Sequence, residues 1–142
     1  MKKRVFALLA AVLCAAVLLA AFWRTPEQRT LRWLDRNRAE MTQYAAAACA
    51  GAPMRSAGRV TAHYWDGEHP IVECVVASRG IVSASSYYGV FYSPDGVPVS
   101  FQNSGEALSP VSDTEWTWQG EGDNHGTVRA LGDNWFYFEA HL

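Results

Sequence analysis

Positions 5–23, VFALLAAVLCAAVLLAAFW, carry no charge, and the polar pattern that follows changes period twice. Nineteen helical residues at about 1.5 Å each span about 28 Å, close to the hydrocarbon thickness of a bilayer. Phe22 and Trp23 stand where an interfacial aromatic belt would lie. A cleaved signal peptide would have a shorter apolar region and small residues at both specificity positions of the cut. A cut after Ala21 would put Leu19 at the outer position, and Cys14 lacks the small residue a lipoprotein site needs before it. The reading is a retained single-span anchor over residues 1–23. Lys2, Lys3 and Arg4 favour a cytoplasmic N-terminus, although five Arg follow the run within fifteen residues. Residues 24–142 are placed outside the cytoplasm.

The next period is helical. Thr25-Pro26-Glu27-Gln28 combines an N-cap Thr, a Pro at the first helical position and the Gln of a capping box. No Gly or Pro interrupts positions 27–50, so a helix over 25–50 is expected. At 100° per residue Leu31, Leu34, Met41, Ala45, Ala48 and Cys49 share one sector, with Arg29, Arg32, Arg36, Glu40 and Gln43 opposite. Arg38 intrudes on the apolar stripe without a local reason. The basic face follows the apolar run closely; a solvated face is its default reading, and weak attraction to anionic lipid the alternative.

Beyond position 58 the period is two. RVTAHYW (59–65), IVECVVA (71–77), IVSASSYYGVFYS (81–93), VPVSFQN (97–103), TEWTWQ (114–119), TVRAL (127–131) and NWFYFEAHL (134–142) read as strands between Gly, Pro, Asn and Asp punctuation. Short connections favour antiparallel pairing. The expected fold is α+β: one amphipathic helix packed on an antiparallel sheet of five to seven strands, forming a single domain over 24–142 with its sheet at 58–142. In the last strand Phe136, Phe138, Ala140 and Leu142 form one face and are read as core under the helix. Trp135, Tyr137, Glu139 and His141 form the other and are read as outward.

Three segments carry a resemblance. YYGVFYSPDG (87–96), Gly122-Asp123-Asn124 with Gly126, and NWFYFEA (134–140) are similar to motifs of a family of small, N-terminally membrane-anchored proteins of clostridia and related Firmicutes. The resemblance covers most of the chain and implies the same architecture. It implies no activity and transfers no catalytic residue. Gly96 stands where an acidic residue is usual in that family, and Phe136 and Phe138 where Tyr is usual, which argues against a polar role at these positions.

Composition narrows the chemistry. The chain of 142 residues has a net charge of −2, but residues 56–142 carry only Arg59, Arg79 and Arg129 against eleven acids. An acidic globular part does not suit a phosphate backbone, so nucleic acid is excluded as partner. No lysine follows position 3, which excludes Schiff-base and P-loop chemistry in the folded part. His63, His69, His125 and His141 have no metal-ligand spacing, and the two Gly-Asp-Asn triplets at 122–124 and 132–134 read as turns, not calcium loops. No cofactor, metal or catalytic residue is assigned. Ser83, Ser85 and Ser86 lack a nucleophile elbow.

Thirteen of the eighteen aromatics fall between Tyr64 and Phe138, and most are needed for packing. Trp116 and Trp118 point to one face of their strand, and Trp135 and Tyr137 to one face of theirs. If the two stripes adjoin on the side away from the helix, they form an aromatic surface for a partner protein or a sugar polymer. Cys49, on the helix stripe, and Cys74, alternating with Val72 and Val76, are a candidate disulfide pair. The functional expectation is a non-catalytic, extracytoplasmic interaction or accessory module, tethered to the membrane through 5–23, with an envelope protein or glycan as partner. The alternative is a cell-envelope hydrolase using paired carboxylates. Pilin-like assembly ranks last, because the run has no intramembrane Glu.

Overall fold

The computed structural model describes residues 12–16, 24–54, 60–81 and 84–142. Most of the 5–23 run lies outside them, as do the strand positions 59, 82 and 83; residues 12–16 are helical. No helix among the described residues is long and apolar enough to cross a membrane.

Helix α1 spans Pro26–Cys49. Thr25 caps it: its Oγ1 accepts from the Gln28 amide at 3.2 Å, and the Gln28 side chain accepts from the Thr25 amide. The buried face is Thr30, Leu34, Met41, Ala45 and Ala48, which is the expected stripe with Leu31 and Cys49 half-buried at its margin. Seven strands follow: β1 Thr61–Trp65, β2 Ile71–Ile81, β3 Ala84–Tyr92, β4 Ser109–Ser112, β5 Glu115–Gln119, β6 His125–Gly132 and β7 Trp135–His141. They form one antiparallel sheet in the order β1-β2-β3-β7-β6-β5-β4. The β6–β7 hairpin turns on Asp133 and Asn134, both left-handed at φ 52° and 64°. Asp and Asn tolerate that conformation best, so the second Gly-Asp-Asn triplet is a hairpin turn.

Both faces of the sheet are covered, which corrects the assignment of the last strand. α1 lies on β2 and β3, where Leu34, Met41, Ala45 and Ala48 meet Val72, Cys74, Val90 and Trp135. The opposite face holds Ile71, Phe91, Trp118, Val128, Phe136, Phe138 and Ala140 under Val99 and Phe101. Phe136 and Phe138 are core as expected, but away from the helix; Trp135 faces the helix, and Leu142 is exposed. The cover is the connection from β3 to β4. VPVSFQN (97–103) is not the expected strand, because β3 already has β2 and β7 on its two edges. With no free edge beside it, the chain crosses the face of the sheet to β4 at the far edge and buries Val99 and Phe101 on the way. Gly126 makes room below: a methyl there would meet the Trp118 indole at 2.6 Å.

Arg38 gains a reason. Its guanidinium reaches past the stripe to the β6–β7 turn, donating to the Gly132 carbonyl at 3.4 Å beside Asp133 at 3.7 Å. Glu27 pairs with Arg129 of β6 at 2.5 Å, and Arg129 in turn lies over the Tyr137 ring. The helix is thereby tied to the sheet at two places as well as through its apolar face. Replacing Leu34, wholly buried, by Ala is expected to cost about 2–5 kcal/mol. A shift of the urea midpoint measures it, and an unchanged midpoint would mean an undocked helix.

Candidate functional site

The four aromatics expected to share one surface are divided between the two faces. Trp135 and Tyr137 lie on the helix side, 0% and 3% exposed, so neither forms an outward stripe. The Trp135 indole donates to Thr42 Oγ1 at 2.9 Å. Trp118 is buried beneath the covering segment. Trp116, half-buried and 6.3 Å from the Phe136 ring, keeps a face toward the cavity beside the covering segment. Cys49 and Cys74 do join one apolar cluster, and both are free thiols. Burial pushes the Cys74 thiol up to about 12 and raises Cys49 as well, so neither is an activated nucleophile.

The cavity that Trp116 borders is a cleft of about 470 Å³ between the β1–β2 turn and the covering segment. Its polar groups are Glu68, His69, Ser100, Asn103 and Glu106; its apolar walls are Pro98, Val99, Leu108, Pro110 and Trp116. Two side-chain networks shape it. Asp95 organises the Ser93-Pro94-Asp95-Gly96 turn by accepting from the Ser93 hydroxyl at 2.7 Å and the Val97 amide at 3.1 Å. Its other oxygen meets His69 Nδ1 at 2.6 Å, which fixes the imidazole at the rim. Burial works against the charge on Asp95, but the bonds from His69, Ser93 and Val97 outweigh it and hold the carboxyl below its usual range.

The second network fixes the covering segment. Gln102 and Asn103 are both left-handed, at φ 57° and 51°, and the Asn103 amide donates to the Asp66 and His69 carbonyls at 3.2 and 3.1 Å. The segment is thus stapled to the β1–β2 turn across the cleft. Glu106 accepts from the Ser104 hydroxyl and from the Ser100 hydroxyl at 3.2 Å. The bond from Ser104 is the main reason its carboxyl sits below the usual range, against a smaller opposing effect of burial. The cleft therefore presents an ionised, positioned carboxylate, a second carboxylate at Glu68, an imidazole, an amide and an aromatic wall, with no Arg or Lys in its lining among the described residues. A cavity of this size with a few convergent polar groups is the usual form of a small-ligand site.

A Ser–His–Glu chain lies elsewhere, on the helix-side face beyond the end of α1. Ser86 Oγ meets His141 Nδ1 at 2.8 Å, and His141 Nε2 meets Glu139 Oε1 at 2.9 Å. His125 stacks on His141 at 4.9 Å. The order of groups is that of a catalytic triad, but Ser86 sits within β3, which is paired on both edges. Its neighbouring backbone amides serve the ladders, so this strand offers no amide pair to a developing oxyanion. Among the described residues no three His, Cys, Asp or Glu side chains converge as a metal site.

Nothing local in the sequence marks the cleft. Its groups come from 67–69, 98–110 and 116, and His69 lies 26 residues from Asp95. The one available signal was the SPDG turn, whose Asp does more than cap. Two of the three resemblance motifs meet at this turn: Asn134 donates to the Pro94 carbonyl at 3.0 Å, and the Ser93 amide donates to the Asn134 carbonyl at 3.0 Å. No family model, curated protein or solved structure matches the chain.

Proposed function

We propose that the chain is a non-catalytic binding module, tethered to the membrane through residues 5–23 and displayed outside the cytoplasm, whose ligand site is the cleft beside Trp116. The resemblance to small anchored proteins of Firmicutes supports the placement. The observation that carries the site is the union of a Trp wall with an amide, a hydroxyl and an ionised carboxylate held by their own networks. A ligand with one apolar ring face and a polar rim fits that lining, which points to an envelope glycan.

The hydrolase reading has one observation in its favour, since Glu68 and Glu106 both border the cleft. Glycoside hydrolysis needs one carboxyl held protonated and one ionised. Glu106 is pushed toward the ionised form. The carboxyl pushed the other way, Glu73, is not part of the cleft lining. Binding is the better use of these groups.

The test is a titration of the isotope-labelled full chain in lipid nanodiscs with soluble peptidoglycan disaccharides. Shifts are expected at the Trp116 indole and at Gly67, Asn103 and Gly105, and they should vanish in Trp116→Ala. Shifts confined to α1 or β1 would remove the cleft as the site, and release of cleaved sugar abolished by Glu106→Gln would favour the hydrolase.

A further inference from the structure

The outer face of α1 is as unusual as the cleft. Arg24, Arg29, Arg32 and Arg36 border an open depression of about 260 Å³, with Trp33 and Asn37 completing it. None of the four has an ion pair among the described residues. Glu27, the acid in the first turn of the helix, is turned to Arg129 of β6. Asp35 and Glu40 are exposed, three residues from Arg32 and four from Arg36, and among the described residues neither comes within ion-pair distance of an Arg. Arg29, Arg32 and Arg36 follow one another at spacings of three and four, where like charges on a helix repel. Arg38 shows the contrast: it sits on the buried side and does have its partners in the β6–β7 turn.

We propose that this arginine stripe, with Trp33 beside it, is a docking surface for anionic phospholipid headgroups that lays α1 along the bilayer and turns the cleft outward. The inference rests on the tethered reading above and extends it to the domain's orientation. Three things on the molecule select the occupant. The charge is complementary: planar guanidinium forks match phosphate oxygens, and basic residues beside a membrane are drawn to anionic lipid. The half-buried Trp33 adds an amphipathic indole of the kind that settles at a headgroup interface. The position is right, because the charge-free run ends at Trp23, next to Arg24. At about 1.5 Å per helical residue, Arg36 stands about 15 Å along α1 from Pro26.

The layers of the fold supply the consequence. α1 puts its Leu34 face on the sheet, and the covering segment with the cleft lies on the sheet's other side. A bilayer against the stripe is thus separated from the cleft by a helix layer and a sheet layer, roughly 20 Å in all. The ligand site then opens away from the membrane.

The experiment uses the labelled full chain in nanodiscs that carry a trace of gadolinium-chelating headgroup lipid. Discs of phosphatidylcholine are compared with discs containing about 30% phosphatidylglycerol, a surface on which each Arg should gain about fivefold in apposition. Amide relaxation over 26–40 is expected to rise several-fold in the anionic discs while 98–110 stays unaffected. High salt should abolish the rise, as should the triple variant Arg29→Gln, Arg32→Gln, Arg36→Gln. Arg79→Gln, exposed on β2, is the control and should behave as the parent. Equal relaxation in both discs, an unaltered rise in the triple variant, or broadening of 98–110 in place of 26–40 would overturn the proposal. A chain that no disc retains would defeat the tethered reading alone. Sedimentation with phosphatidylglycerol vesicles then decides the stripe: Arg-dependent binding supports it, and no binding overturns it.

Discussion

Trp135→Ala is expected to destabilise the protein by about 3–5 kcal/mol, the range for removing a large aromatic from a closed core. Trp135 is wholly buried between β7 and α1, 5.5 Å from the Tyr92 ring and among Leu34, Met41 and Val90. Truncation would leave a cavity at the junction of helix and sheet. It would also remove the 2.9 Å bond to Thr42 Oγ1, whose hydroxyl proton is already given to the Arg38 carbonyl. Trp135→Phe separates the two effects. It keeps most of the volume, and the Thr42 hydroxyl stays satisfied as a donor, so the lost hydrogen bond alone should cost about 1 kcal/mol. Urea midpoints at constant slope measure both variants. A cost below about 1 kcal/mol for the alanine variant would show that α1 is not docked as described.

That residue also shows where reading the chain succeeds and where it stops. The grouping of the last strand was legible, since alternation separates Trp135 and Tyr137 from Phe136 and Phe138 whatever the fold. Which group meets the helix was not, because each is large and apolar enough to be buried, and both are. The helix was legible down to its capping box, as capping is a matter of four adjacent residues. Arg38 was opaque because its partners are some 94 residues away. VPVSFQN has the composition of a strand, yet strand formation needs a free edge as well as β-branched residues, and only the sheet order shows that none was available. The cleft was invisible for a related reason: its residues meet only because that segment crosses the sheet.

The largest pH effect is expected from Glu73. The residue sits in β2 on the face under the covering segment, 1% exposed. Its cross-strand neighbours on that face are His63 of β1 and Phe91 of β3, and the covering segment above it contributes the Gln102 amide. Among the described residues no Arg or Lys pairs with it. Oε2 accepts from that amide at 2.9 Å, while among the described residues Oε1 and the nearby Trp65 indole nitrogen make no hydrogen bond of ordinary length. Burial therefore dominates and pushes the carboxyl from 4.5 up to about 7, against the pull of the Gln102 amide and the Trp65 indole. The folded state binds this proton more tightly than the unfolded state does. Its contribution is fully present below about pH 4.5 and is lost as pH rises through about 7. The loss amounts to about 3 kcal/mol by pH 8–9. Asp95 and Glu106, held low, act in the opposite sense and only in acid, where stability falls as they are protonated. The profile should therefore peak on the acid side of neutrality. Glu73→Gln removes the charge and keeps an oxygen for the Gln102 amide. At pH 8.5 it should recover on the order of 2 kcal/mol, the remainder being spent on an amide NH₂ facing the Trp65 indole. At pH 5 it should gain nothing. Urea titrations at the two pH values read the difference directly, and parallel profiles for parent and variant would refute a buried, cation-free carboxyl at this position. Because the covering segment shuts Glu73 from water, opening it is what hydrates the ionised carboxyl, so the loss at high pH should appear first as faster amide exchange over 97–108, ahead of β7.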